Sequence, residues 1–122
     1  MKTIVDNNTM KSSDLEVSGV GIIPEVAVVK EVRISNIMDA DGKRTDAVDC
    51  IKYVCVNPDN FSSFVLKVNA TRPIVTNEAI ENSEKPIFVS IPVSEVVIRP
   101  YEIAYGRAKV TISSPFVKLM DE

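Results

Sequence analysis

The chain predicts an all-β fold with one short helix: a small five-stranded Greek-key barrel of element order β-β-β-α-β-β. Three observations lead there. Between Val26 and Leu119, β-branched and other apolar residues recur at alternate positions in several short runs. Polar turn clusters, Asp39 to Arg44 and Asn57 to Asn60, separate the first three runs. One helical stretch only, opening at Thr76, interrupts the series. Short curved strands of this kind lose their exposed edges best by closing on themselves, and a β-sandwich is the second arrangement the pattern allows.

The first run places Val26, Val28, Val32 and Ile34 at alternate positions, with Glu31, Arg33 and Ser35 on the other face. Asp41-Gly42 then forms the hairpin turn, because both residue types tolerate positive φ. The second run, Val48 to Val56, is apolar on both faces, with Val48, Val54 and Val56 against Ile51 and Tyr53. Such a strand sits centrally or has a second partner surface, a neighbouring subunit being one. The third run, Phe61 to Asn69, sets Phe64, Leu66 and Val68 on one face and Val65 and Lys67 on the other. Arg72-Pro73 ends it.

Thr76 is placed as an N-cap for a helix running to about Glu84, too short to stand without packing. Ile87, Val89, Ile91 and Val93 alternate after Pro86, and Pro92 within that run marks a bulge or an edge. Val96 to Arg99 continues this strand past a kink. Pro100 to Gly106 reads as a loop, and Arg107 to Leu119 as the last strand or pair, broken near Pro115. Residues 1–24 form a separate regime: a flexible N-terminal arm, polar at Lys11-Ser12-Ser13-Asp14 and broken by Gly19, Gly21 and Pro24, with a short strand near Val20 to Ile23. Residues 25–120 are then one β-barrel domain whose element order is that of an OB-type barrel.

Composition narrows the function. With 122 residues, 45% hydrophobic and 25% charged, the chain fits one folded domain with one core. Its net charge of −3 excludes a uniformly basic nucleic-acid binder but leaves room for a local positive groove. Asp6-Asn7-Asn8-Thr9 falls where a signal peptide needs its apolar core, so cytoplasmic residence is expected, and no run is long enough to span a membrane. Cys50 and Cys55, in one predicted strand, are expected on opposite faces and roughly 16 Å apart, beyond disulfide reach. They read as small buried thiols.

No enzyme motif accompanies this frame. There is no histidine, no GxSxG and no phosphate-binding GxxxxGK[ST], so a non-enzyme without cofactor is expected. Two cysteines and no histidine supply no zinc ligand set. A calcium loop starting at Asp39 fails as well, with Gly42 fourth, Lys43 fifth and Cys50 where the closing Glu belongs.

One segment carries chemistry. Arg99 to Lys109 holds Arg99, Arg107 and Lys109 with Tyr101 and Tyr105 against the single acid Glu102. Single-strand binders combine a cationic track for phosphates with flat rings on which bases stack, at about 1–3 kcal/mol per ring. Arg33, Lys52 and Lys67 extend that track across the first three strands, Tyr53 and Phe88 are further candidate rings, and Lys43 and Arg44 sit on the first hairpin tip. The alternative reading makes the tyrosines rim packing and the cations a solvated face. Three Tyr, four Phe and no Trp is also a thin supply of rings for a stacking protein.

Over residues 39–120 the chain resembles small proteins of Gram-positive integrative and conjugative elements, a family that includes their helicase processivity factor. The resemblance lies in Asp41-Gly42-Lys43-Arg44-Thr45, Ile87-Phe88-Val89-Ser90-Ile91-Pro92, Val96-Val97-Ile98 with Tyr101, Gly106-Arg107-Ala108-Lys109-Val110 and Ser114-Pro115-Phe116-Val117-Lys118-Leu119. The last two stretches are also similar to the final strands of filamentous-phage single-stranded DNA-binding proteins. The segment 72–86 and the arm 1–24 depart from that pattern. The resemblance implies a single-stranded DNA-binding accessory protein of a mobile element or phage, coating displaced DNA or assisting a helicase or relaxase.

Two function classes follow. The first is a sequence-tolerant single-stranded DNA binder, expected as a homo-oligomer because one small module makes few contacts. The second is a structural or assembly β-domain of a phage or mobile element that self-associates. Phosphate binding weakens steeply with salt, whereas apolar self-association does not.

Overall fold

The computed structural model describes residues 15–120. The expected arm therefore lies outside the described residues over positions 1–14. The chain forms β1 (Val17–Ser18), β2 (Val26–Met38), β3 (Arg44–Val56), β4 (Ser63–Val68), α1 (Asn77–Asn82), β5 (Phe88–Ser90), a 3-10 turn (Val93–Glu95), β6 (Val97–Ala104), β7 (Arg107–Ser114) and β8 (Lys118–Leu119). It is a mostly β protein with one short helix. The strands join in a single sheet of order β1-β6-β7-β4-β3-β2-β5-β8, antiparallel throughout except where β4 runs parallel to β7.

The β-β-β-α order is present as β2, β3, β4 and α1. Asp39 Oδ1 accepts from the amides of Asp41 and Lys43, both at 2.9 Å, and Gly42 takes φ +79, so the Asp-Gly turn closes the first hairpin as its chemistry demands. β3 is flanked by β2 on one side and β4 on the other, the central position expected of it, with Ile51 and Tyr53 buried and Val48, Val54 and Val56 half-buried. Thr76 caps α1 by accepting from the amide of Ala79 at 3.1 Å.

A sheet with one apolar face and a single short helix must cover that face with itself. Ala27, Val29 and Val32 of β2 meet Ile51, Tyr53 and Cys55 of β3, Leu66 and Val68 of β4, Val89 of β5 and Ile98 of β6 in one cluster, so the sheet curls around its own core. Register shifts in β2 between Val29 and Glu31, and again beyond Ser35, supply bends of the kind bulges give long strands.

The expected closed five-stranded barrel is corrected in two respects: the sheet has eight strands and is open. Where the fourth barrel strand was expected, Pro92 lacks an amide and Val93–Glu95 winds into a 3-10 turn, which divides the run into β5 and β6. The free edges of those two halves are then taken by other chain segments. β1 pairs with β6 at Val17↔Ile98 and Ser18↔Val97, and β8 pairs with β5 at Val89↔Leu119 and Ser90↔Lys118.

Two smaller expectations also change. The strand expected near Val20 to Ile23 lies at Val17–Ser18, and the following residues form a turn in which the amides of Ile22 and Ile23 donate to the Gly19 carbonyl. Pro100 to Ala104 is strand rather than loop, paired from Pro100↔Val110 to Ala104↔Arg107. Past Ile98 no strand among the described residues flanks β6 on its outer side, and an edge is where a sheet tolerates a proline.

Candidate nucleic-acid interface

The strand register brings three cations into line. Arg33 on β2 lies opposite Lys52 on β3, and Lys52 lies opposite Lys67 on β4. Directly opposed like charges destabilise a sheet, so this row carries a cost that its neighbours in the sequence do not require. The row continues onto β7 at Ser113, the partner of Lys67, and two residues away Thr111 is the partner of Arg99 on β6. Opposed residues share a face, and this face is the one turned away from Ile51, Tyr53 and Leu66 of the core.

Tyr101 is delivered to the same place by an irregularity. The β6–β7 register shifts between Pro100 and Glu102, leaving Tyr101 as the unpaired residue of a bulge. Bulges re-aim side chains, and Tyr101, 63% exposed, lines one groove with Arg33, Lys52, Lys67, Val65 and Thr111. Val110 and Ile112 complete its wall. An aromatic ring and three cations in one open groove match the two requirements of single-strand binding, charge for phosphates and a flat face for bases.

The β6–β7 hairpin extends this surface. Its turn, Tyr105-Gly106, has φ +54 and +73, the paired positive values of a type I′ turn, and the Tyr105 ring is fully exposed. Tyr105, Arg107 and Lys109 border a second hollow with Glu102, Ala104 and Ala108. Lys43 and Arg44 are exposed at the end of the β2–β3 hairpin.

Carboxylates temper the charge. Arg33 is paired with Glu31 at 3.3 Å and Lys109 with Glu102 at 3.0 Å. Arg99 donates to Glu16 through both Nε, at 3.0 Å, and Nη2. Among the described residues Lys52 and Lys67 have no carboxylate partner.

One expected ring is buried and a second lies away from the groove. Tyr53 is buried at 1% exposure, and its hydroxyl accepts from the amide of Ile74 at 3.0 Å. Burial pushes its phenol pKa up, partly offset by that hydrogen bond and reinforced by neighbouring Cys55. Phe88 is half-buried on β5 and borders a different cleft, with Val26, Pro86, Ile87 and Met120. Both cysteines are free and buried, and burial pushes the Cys55 thiol up to about 12.

The groove also contains residues that sequence reasoning passed over. Val65 and Thr111 reach it through the parity of Lys67 and through the parallel β4–β7 pairing, which no local pattern announces. Phe61, 80% exposed at φ +60 in the β3–β4 turn, is a further ring displayed at a loop tip. The polar run Asn57 to Asn60 before it was the available signal.

Comparison with known proteins finds no matching family model, no similar curated protein and no similar solved structure.

Proposed function

We propose that this protein binds single-stranded DNA without strong sequence preference, through the outer face of β3 and β4 and the two hairpins that flank it. The observation that carries the reading is the in-register row Arg33, Lys52, Lys67 with the bulged Tyr101 in the same groove. Phosphates take the cations and a base stacks on the ring.

The strand order supports the OB-type reading in an opened form. β2, β3, β4, β7 and β6 neighbour one another in the order 1-2-3-5-4 of such a module, with β5 and β6 together standing for its fourth strand, split at Pro92. OB modules hold oligonucleotides on the face of strands two and three and on the loops between strands one and two and strands four and five. Here those places are the Lys52–Lys67 face, the Lys43–Arg44 hairpin end and the Tyr105–Arg107 hairpin. Likeness of fold alone fixes no function, and the site's own chemistry carries the functional weight. The resemblance of residues 39–120 to conjugative-element proteins supports a non-enzymatic accessory role in DNA replication, in the cytoplasm, alongside a helicase or relaxase.

Fluorescence anisotropy of a labelled oligo-dT, titrated at low and moderate salt, tests the proposal. Micromolar or tighter binding that weakens with salt and drops in Tyr101→Ala is the expected result. No binding at low salt overturns it. A second reading, self-association as an assembly domain, is favoured by the exposed Ile34, Ile37 and Met38 of β2 and Ile103 and Val110 of the β6–β7 ribbon. A salt-insensitive oligomer without DNA affinity is its signature.

A further inference from the structure

We propose that Glu16 occupies the place of a phosphate on Arg99, so that nucleic acid binds this face by exchanging an internal carboxylate for its own backbone. The inference rests on the single-strand reading above and concerns how that site is regulated.

Arg99 belongs to the binding face, since its strand partner Thr111 lines the groove that holds Lys67 and Tyr101. Its guanidinium is nevertheless engaged. Nε and Nη2 both donate to Glu16 Oε1, a geometry a phosphate oxygen also satisfies. The two side chains remain 58% and 55% exposed, so a ligand reaches the pair without any part of the core opening. An ion pair this exposed contributes little, and a polyanion can displace it.

Glu16 differs in origin from the other acids on this face. Glu31 and Glu102 sit on the same strands or hairpin as the cations they pair with, but Glu16 is 83 residues from Arg99 in sequence. It is brought there by the two-residue pairing of β1 with β6 and by Gly19, whose lack of a side chain lets the backbone lie against Val96. A Cβ added at Gly19 would come within 2.7 Å of Val96 Cβ. Held this way, Glu16 neutralises a cation of the track in the free protein, which fits an acidic chain of net charge −3 carrying a cationic groove. A ligand with several closely spaced phosphates gains from displacing it, because its other phosphates are held by Lys52 and Lys67. A lone anion lacks that support.

The test compares oligo-dT affinity across a salt series for the wild-type protein, Glu16→Gln, Arg99→Gln and the double variant, with Glu81→Gln on α1 as a control for the change in net charge. Glu16→Gln is expected to tighten binding about 2- to 5-fold at low salt, the range set by an exposed ion pair. That gain is expected to shrink as salt rises, because the exposed ion pair that the ligand must displace in the wild type is itself screened. The gain is expected to vanish in the Arg99→Gln background, the coupling that a double-mutant cycle isolates. Equal affinity of Glu16→Gln and wild type, an equal gain in Glu81→Gln, or a gain that survives Arg99→Gln overturns the exchange while leaving DNA binding itself standing. Absence of binding in every variant at low salt overturns both.

Discussion

Asn77 completes the edge of β2 at Val32: its side-chain carbonyl accepts from the Val32 amide at 2.8 Å, and its side-chain amide donates to the Val32 carbonyl at 2.9 Å. Pairing of β2 with β5 stops at Val28, so a single side chain takes over the role of a neighbouring strand. It also docks α1, a helix with no buried residue of its own, on the sheet. Asn77→Ala removes both bonds beside a buried backbone and is expected to cost about 1–3 kcal/mol. Urea unfolding reads this as a lower midpoint with unchanged slope. Asn77→Asp keeps the acceptor but sets a carboxylate against the Val32 carbonyl, and is expected to destabilise as well.

Tyr53 plays a comparable internal part. Its hydroxyl satisfies the Ile74 amide in the segment leading to α1. Tyr53→Phe leaves that donor unpaired and is expected to lower stability by about 1–3 kcal/mol. Because the ring is buried at 1% exposure, oligo-dT affinity of the folded variant is expected to equal wild type. A large loss of affinity at full folding would place Tyr53 in the ligand's path and contradict the burial.

How far the sequence reveals this molecule depends on the range of the interaction concerned. Alternation in β4, the Asp41-Gly42 turn and the Thr76 cap are local, and each was readable from its neighbours. In β2, by contrast, the irregularity between Val29 and Glu31 switches parity, so that Ala27, Val29 and Val32 are buried and Val26, Val28 and Ile34 do not form the expected core face. Arg33, Lys52 and Lys67 could be nominated one at a time, but their alignment depends on two registers set by hairpin geometry and bulges. The splitting at Pro92 was visible as a break. That β1 and β8 would take the two edges it exposes was not, since their two-residue pairings carry no periodicity. Tyr53 and Tyr101 illustrate the same limit: both are tyrosines in β-type runs, and only strand parity and a bulge separate the core ring from the groove ring.

Alkaline pH is expected to unfold the protein through buried acids. Burial holds the Cys55 pKa at about 12 against an ordinary 9.0, and raises that of Tyr53 above its ordinary 10.0. Between the unfolded and folded values the native state binds more protons than the unfolded state, so stability falls as pH rises. The loss begins near pH 9 for Cys55 and near pH 10 for Tyr53, and stability below those values is unaffected by either group. Denaturant midpoints measured between pH 8 and pH 11 check this. Cys55→Ala is expected to flatten the first part of the decline. Thiol titration is expected to detect no reactive cysteine in the native state and both Cys50 and Cys55 after unfolding.

The cation row sets stability against binding. Lys52 faces Arg33 on one side and Lys67 on the other, so Lys52→Gln relieves two like-charge contacts. It is expected to raise stability by about 0.2–1 kcal/mol at low salt. The same variant is expected to reduce the log–log salt slope of DNA binding by about 0.7, one phosphate contact on a single strand. Parallel thermal melts and anisotropy titrations read the two effects. A stabilised variant with undiminished DNA affinity would remove Lys52 from the interface.

Tyr105 presents the sharper form of that opposition. Type I′ turns require positive φ at both central residues, and asparagine or glycine meets that requirement at lowest cost. This chain places a tyrosine there at φ +54, with its ring fully exposed and therefore without compensating burial. A residue held in the left-handed region without packing gain points to what it can touch. Tyr105→Asn is expected to stabilise the β6–β7 hairpin, raising the melting temperature, because asparagine enters this conformation readily. If the ring stacks on a base, the same substitution weakens oligo-dT binding by about 1–3 kcal/mol. Tyr105→Phe retains the ring and is expected to bind like wild type, whereas Tyr105→Asn is expected to be the more stable protein and the poorer binder. A Tyr105→Asn variant that gains stability and loses no affinity would confine the ring to the turn and leave Tyr101 as the stacking residue.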